Sequence, residues 1–399
     1  MKNPKIITTI NSNDEELLIR YWQLPDDLFI ELKDDFHLKL FSSVKQKLSN
    51  KHKDCLKYIL KCTDYHSVRL YNKQIRFTLG EIEQIHEFLG INKLEVEKNI
   101  ISLGNHEDGT IIKNPKLPFY LRDLFYVASH LIFDGNFRFK HGCYFFAYED
   151  SLVEYHKKRL SVFGEVPMNF LDSEFQLYFS YTIGYITAMV LKIDDFRSTK
   201  CRLSVRFKEH GSRYKVLADE IVKAMLIDEG AIEEKIEVEL CNKKLIEDLY
   251  SILKDHYILR PISTRKRFSG YHWDRGDLSE SWNLNFSIKS CSLLYKSISP
   301  LSIVYKEKNL QLLFKLKERK YTFNSKQIKE DIIKTLSESP KTIEEIAQST
   351  IMHRSLIRKY LYGKVNGSNL LELGIIEKCG EKILRKGGFT RAPIFQLKL

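Results

Sequence analysis

Two carboxylates in this 399-residue chain stand where elementary electrostatics disfavours them. Asp134 closes the apolar run Val127-Ala-Ser-His-Leu-Ile-Phe-Asp134, and Glu229 closes Val222-Lys-Ala-Met-Leu-Ile-Asp-Glu229; glycines, Gly135 and Gly230, follow at once. Both runs have the length and apolar character of buried helices. A helix ends in unsatisfied carbonyls that carry partial negative charge, so stability alone would place Lys or Arg there. Small residues lie mid-run, Ala128 and Ser129 in the first and Ala224 in the second, which would let two such helices approach backbone to backbone. Side by side, they would bring the two acids together, and like charges that close stay ionised only with a cation between them. The chemistry expected of the pair is that of a divalent-cation site that can activate a bound water. Asp134 and Glu229 would be hard oxygen ligands to Mg²⁺ or Mn²⁺. The alternative is a pair of solvated acids in strand-entry turns.

The two runs resemble the paired helices of the LAGLIDADG homing endonucleases, in which the last acid of each motif binds the divalent metal and the glycine ends the helix. The first copy departs from the motif at His130 and Ile132. The second departs at Lys223, which replaces the usual small residue. The acids and glycines are kept, 95 residues apart. The resemblance implies an α+β fold, a duplicated αββαββα domain with saddle-like antiparallel sheets. It also implies catalytic and metal-binding roles for Asp134 and Glu229, and helix-interface roles for Ala128, Ser129, Gly135, Ala224 and Gly230. Mg²⁺ or Mn²⁺ is the implied cofactor and double-stranded DNA the implied partner.

The elements that must position the acids repeat. After Gly135 comes an alternating aromatic stretch (Phe137, Phe139, Cys143 to Tyr148), then a helix from Ser151 to Gly164, then Leu177-Tyr-Phe-Ser180. After Gly230 comes alternation from Ile232 to Leu240, a helix from Lys243, then Leu284-Asn-Phe-Ser287. Leu152 lies 18 residues past the first acid and Leu245 lies 16 past the second; the Leu-x-Phe-Ser tetrads lie 43 and 55 past. The excess falls in the loop at 260–281. Residues 121–210 and 211–322 thus each read helix, two strands, helix, two strands, helix. Helices would cover one face of each sheet, leaving the other open for the major groove of a duplex. In the basic loop, Arg260, Arg265, Lys266, Arg267, Tyr271 and Arg275 are the expected contacts, Arg to guanine edges and Lys or Arg to phosphate. A solvated basic loop is the alternative.

The flanks differ in kind. Residues 1–104 show short helical patterns and resemble a repressor-type helix-turn-helix; Thr78 is a good N-cap and Gly90 a good stop. A helical bundle that caps its neighbour fits the same pattern. Residues 105–120 read as a linker, because Pro115 and Pro118 forbid helix. Residues 323–399 resemble a winged helix-turn-helix domain, with Arg354, Arg358 and Lys359 on the recognition helix and Arg385, Lys386 and Arg391 on the wing. From 325 onward, fourteen Lys and Arg stand against eight Asp and Glu, half of the chain's net charge of +12.

Composition narrows the remaining classes. Apolar content of 43% and 29% charged residues describe a globular protein, with no apolar run long enough to span a membrane and no signal-peptide layout. The expected location is the cytoplasm, associated with the nucleoid, and the expected form a monomer with internal pseudo-two-fold symmetry. Seven scattered cysteines without a C-x-x-C pair read as reduced, buried side chains, and the twelve histidines lack zinc spacing. Lys140, Lys200, Lys306 and Lys308 all qualify for the additional active-site lysine that the resemblance implies, and the sequence does not choose among them. Three activities share these features: site-specific DNA cleavage, non-catalytic regulation of the WhiA type, and RNA maturation. Inteins are disfavoured by the absence of a splicing Cys or Ser at position 1 and of a terminal His-Asn pair.

Overall fold

A computed structural model describes residues 15–48, 56–106, 111–138, 142–233, 235–268, 278–318, 325–363, 369–383 and 391–398. Two compact units emerge: residues 1–146 with 154–210, and residues 147–153 with 211–399.

The first unit opens with β1 (Leu18–Ile19), β2 (Phe29–Leu32), α1 (Asp34–Leu48), α2 (Lys57–Leu60), α3 (Asp64–Tyr71), β3 (Phe77–Thr78), α4 (Leu79–Leu89), α5 (Lys93–Lys98), β4 (Ile100–Gly104), β5 (Ile111–Lys113) and β6 (Phe119–Tyr120). The five helices match the helical pattern, but the region also holds an antiparallel sheet of order β3-β2-β4-β5. Its strands run two to five residues, too short for period-two alternation to register. The stretch expected to be a linker is woven into the unit: β5 pairs with β4, β6 pairs with β1, and Lys113 bridges Glu165. Thr78 and Glu81 form a reciprocal capping box at the start of α4. Gly90 in the left-handed region, φ 73°, ends α4, and Asn92 caps α5, giving a three-residue turn between the two helices.

Next come α6 (Leu121–Asp134), β7 (Gly135–Arg138), β8 (Gly142–Phe146), α7 (Asp150–Leu160), β9 (Met168–Leu171), β10 (Gln176–Phe179) and α8 (Tyr181–Leu191), with strand order β7-β8-β10-β9. Helix α9 (Val205–Arg213) leads into the second unit. There α10 (Lys215–Asp228), β11 (Gly230–Ile232), β12 (Ile236–Leu240), α11 (Lys243–Leu253), β13 (Ser263–Phe268), β14 (Leu278–Phe286) and α12 (Cys291–Ile298) follow, with order β11-β12-β14-β13. Element order and strand order are the same in both segments. The protein is α+β, and alternation of burial along β8, β10 and β12 shows one face of each sheet packed and the other open.

Helix α13 (Val304–Glu318) comes next, then α14 (Ser325–Glu338), β15 (Lys341–Thr342), α15 (Ile343–Thr350), α16 (Arg354–Tyr362), β16 (Ile376–Ile383) and β17 (Arg391–Leu397), in a sheet of order β15-β17-β16. Thr342 and Glu345 cap α15 reciprocally. Ile351 adopts φ 52° to make the turn into α16, a left-handed conformation that a β-branched residue adopts only at a cost. The core of this region joins Ile328, Ile332, Ile343, Ile346, Met352, Ile357 and Phe395, and α13 contributes Leu312 to it. The boundary expected at 322–323 therefore cuts through a shared core.

Among the described cysteines there is no disulfide. Cys143, Cys201 and Cys291 are buried as expected, but Cys241 and Cys379 are exposed, and Cys55 lies outside the described residues.

Candidate functional site

Both acids end their helices in the same local geometry. Asp134 is the last residue of α6, and Gly135 begins β7 without an intervening loop. Glu229 follows α10 as its C-cap, and Gly230 begins β11. The glycines are required for space rather than for dihedral freedom, since Gly135 is extended at φ −120°. A Cβ there would lie 2.7 Å from the Cα of Leu131, and one on Gly230 would lie 2.6 Å from the Cα of Leu226. In each case the chain turns from helix to strand so sharply that the strand's first residue presses on the helix four positions back. Ala128, Ser129 and Ala224 are all buried, as expected of small residues mid-helix. Asp134 belongs to the first unit and Glu229 to the second.

Charge around the α10 terminus is compensated by a residue far away in sequence. Lys306 of α13 is 4% exposed, and its Nζ donates to the carbonyls of Leu226 at 2.8 Å and Ile227 at 2.7 Å. An ammonium there offsets the negative end of the helix dipole. Burial pushes the Asp228 carboxyl well above its ordinary range, and Lys306 opposes that shift. The Glu229 carboxyl is raised too, first by burial and then by Asp228, with Lys306 again opposing. Glu229 is exposed as a residue and Asp228 half-buried, so burial acts less on Glu229 than on Asp228. Among the described residues, no three His, Cys, Asp or Glu side chains gather into a cage for a metal. The carboxylate at each junction is a hard oxygen donor, the ligand type that Mg²⁺ takes together with water and phosphate oxygens.

Tyr126, His130, Phe145 and His156 form a buried aromatic cluster against the first sheet, with Tyr155 half-buried beside them. His130 and His156 meet edge to face at 4.7 Å, and Phe145 lies 4.7 Å from His156. The Tyr126 hydroxyl lies 2.6 Å from His156 Nδ1, within hydrogen-bond distance. Arg159 stacks over Tyr126 at 4.5 Å and pairs with Asp123 at 3.2 Å. Burial drives the His156 imidazolium far below its ordinary range, and the nearby His130 and Arg159 add to the effect. His130, a departure from the motif noted above, is thus a core residue.

The open faces of the two sheets differ in chemistry. On the first, Asn136, Tyr144, Tyr178 and Asn169 align across the strands, with Phe146 and Gln176 beside them. Tyr144 lies 5.1 Å from Tyr178 and 5.3 Å from Phe146. On the second, Glu239, Asn283 and Ser263 align, flanked by Glu237, Asn285, Arg265 and Ser281, and here Ser281, Asn283 and Asn285 of β14 are buried. Arg265 pairs with Glu239 at 3.4 Å, so this expected DNA contact already has an acidic partner. Arg260 is exposed. Lys266 and Arg267 lie in β13, with side chains outside the description, and Tyr271 and Arg275 fall outside the described residues.

On the C-terminal region, Arg358 and Lys359 project from α16 as exposed cations. Arg354 does not join them. It flanks Ile357 on the core side of α16, is 12% exposed, and pairs with Glu344 of α15 and with Glu233, each at 3.4 Å. Positions four and five apart share a broad side of a helix without sharing its solvent-facing part. Arg391 begins β17, while Arg385 and Lys386 lie outside the described residues. The α4–α5 pair offers less: Lys93 is paired with Glu83 and Glu95 with Lys39. No helix among the described residues is long and apolar enough to cross a membrane. Compared with known proteins, the chain matches no family model and no curated protein.

Proposed function

We propose that this protein binds double-stranded DNA sequence-specifically and cleaves it in a divalent-metal-dependent reaction, as a LAGLIDADG-type endonuclease with a C-terminal winged helix. The observation that carries the proposal is the repeated junction. Asp134 and Glu229 stand at equivalent ends of two helices, each forced by a glycine directly into the first strand of a sheet with the same strand order. Structural need explains the glycines. It does not explain an acid at a helix C-terminus in both copies, since each costs stability there.

In this proposal Asp134 and Glu229 each supply a carboxylate ligand. A bound Mg²⁺ would polarise the phosphate and lower the pKa of an attacking water. The exposed cations Arg358 and Lys359 hold phosphates or read base edges from α16, and Arg260 holds the backbone beside the second sheet. The unlike faces of the two sheets, one aromatic and one polar, suit an asymmetric target. Asp134→Asn and Glu229→Gln should each abolish Mg²⁺-dependent nicking while preserving duplex affinity. A wild type that binds duplex with steep salt dependence yet cuts nothing in a randomised target library, with either Mg²⁺ or Mn²⁺, would sink the cleavage half of the proposal.

One observation favours a second reading, a DNA-binding regulator that has lost cleavage. Lys306 already supplies positive charge to the acid-bearing end of α10, so that end is tolerable without a cation. The same library selection decides between the two.

A further inference from the structure

Helix α13 serves two bodies of structure. Near its start, Lys306 holds the last carbonyls of α10 immediately before Asp228 and Glu229. One turn later, Asn309 Nδ2 donates at 2.8 Å to the carbonyl of Ile232, the end of β11. The two contacts grip both sides of the Glu229–Gly230 junction. Toward its other end the same helix places Leu312 in the winged-helix core and packs Leu316 against it. A second tie runs in parallel, from Arg354 at the start of α16 to Glu233 just past β11. A buried ammonium is tolerated only where acceptors meet it, so Lys306 fixes the end of α10 to α13 and does more than screen its charge.

We infer that Lys306 is a positioning residue for Glu229, and that α13 makes the placement of that acid depend on a folded winged helix. The first clause rests on Glu229 as a metal ligand; the second is a mechanical property of the unit and can be tested without catalysis.

Hydrogen exchange by mass spectrometry on the full chain reads the backbone of residues 222–232 directly. Lys306→Met should speed exchange there at least tenfold, and Lys306→Arg, which keeps charge and donors, should restore most of the protection. Ile346→Ala, a cavity in the winged-helix core far along α15, should speed exchange within 325–363 and also within 222–232. Unchanged exchange over 222–232 in Lys306→Met overturns the positioning role. An Ile346→Ala effect confined to residues beyond 324 overturns the dependence on the winged helix. Should Lys306→Met not fold, Lys306→Arg and Ile346→Ala carry the test.

Mn²⁺ titration calorimetry separates positioning from simple capping by sign. Removing a nearby positive charge would by itself tighten Mn²⁺ binding, whereas misplacing Glu229 weakens it. Lys306→Met should weaken Mn²⁺ binding at least fivefold with duplex affinity unchanged, and Lys306→Arg should recover it. Tighter or equal binding overturns the inference. A wild type that binds no Mn²⁺ defeats the metal assignment itself, while the exchange results still decide whether α13 couples the two regions.

Discussion

Acidification should destabilise the first unit through one residue, His156. The imidazole is fully buried, and its Nδ1 hydrogen-bonds with the Tyr126 hydroxyl. Burial, then His130, then Arg159 hold its folded pKa far below the ordinary value. Below about pH 6.5 the unfolded chain therefore takes up a proton that the folded chain refuses. Stability then falls with falling pH, at a limiting slope of about 1.4 kcal/mol per unit, until the folded pKa is reached. From pH 7.5 to pH 5.0 the loss assignable to His156 is at most about 2 kcal/mol, or about 4–8 °C in melting temperature for a unit of this size. Thermal unfolding of wild type and His156→Gln, followed by circular dichroism at both pH values and constant ionic strength, isolates the residue, because carboxylate effects are common to both. The variant should start less stable, having lost ring packing against Phe145 and His130, but should lose less on acidification. An equal acid-induced shift in the two proteins would refute the assignment of the proton uptake to His156.

Other substitutions test other parts of the structure. Arg358→Gln and Lys359→Gln should each lower the slope of log affinity against log salt by about 0.9 for duplex binding, as phosphate contacts do, whereas Arg354→Gln should leave the slope unchanged and lower the melting temperature. Gly135→Ala and Gly230→Ala should each cost about 2–3 kcal/mol in urea unfolding, since backbone that cannot retreat faces the added methyl; a cost near zero would show that the helix-to-strand junction can relax. Thr342→Ala removes the cap of α15 and should cost about 1 kcal/mol by the same measurement, with Thr342→Ser nearly neutral.

How much of this was legible beforehand depended on whether the signal was local. The acid-glycine junctions, the order of elements in both repeats and the capping boxes at Thr78 and Thr342 are written in neighbouring residues, and the model bears out the α+β class. What escaped depends on partners distant in sequence or on weak periodicity. Lys306 lies 80 residues from the carbonyl of Leu226 that it holds, and it looked no different from Lys140, Lys200 or Lys308. Helix α13 drew no attention because residues on more than one side of it are buried, which erases the apolar stripe by which a surface helix is recognised. The N-terminal sheet escaped because its strands are short. The pairing of Arg354 with Glu233 escaped because the sequence around α16 carries no trace of that partner.

The shared helix α13 also bears on where this protein can be cut and rejoined. A break at residue 324 would not release an appendage; it would strip Leu312 and Leu316 of their covering and leave an apolar stripe facing water beside the Glu229 junction. Recombination that donates or replaces the C-terminal region must therefore carry α13 with it, or select a new helix that satisfies both Leu226 and Ile232. Substitution on the exposed side of α16 meets no such constraint. Under the proposed function, a new target preference would be acquired by point substitution on α16 more readily than by exchange of the whole C-terminal region.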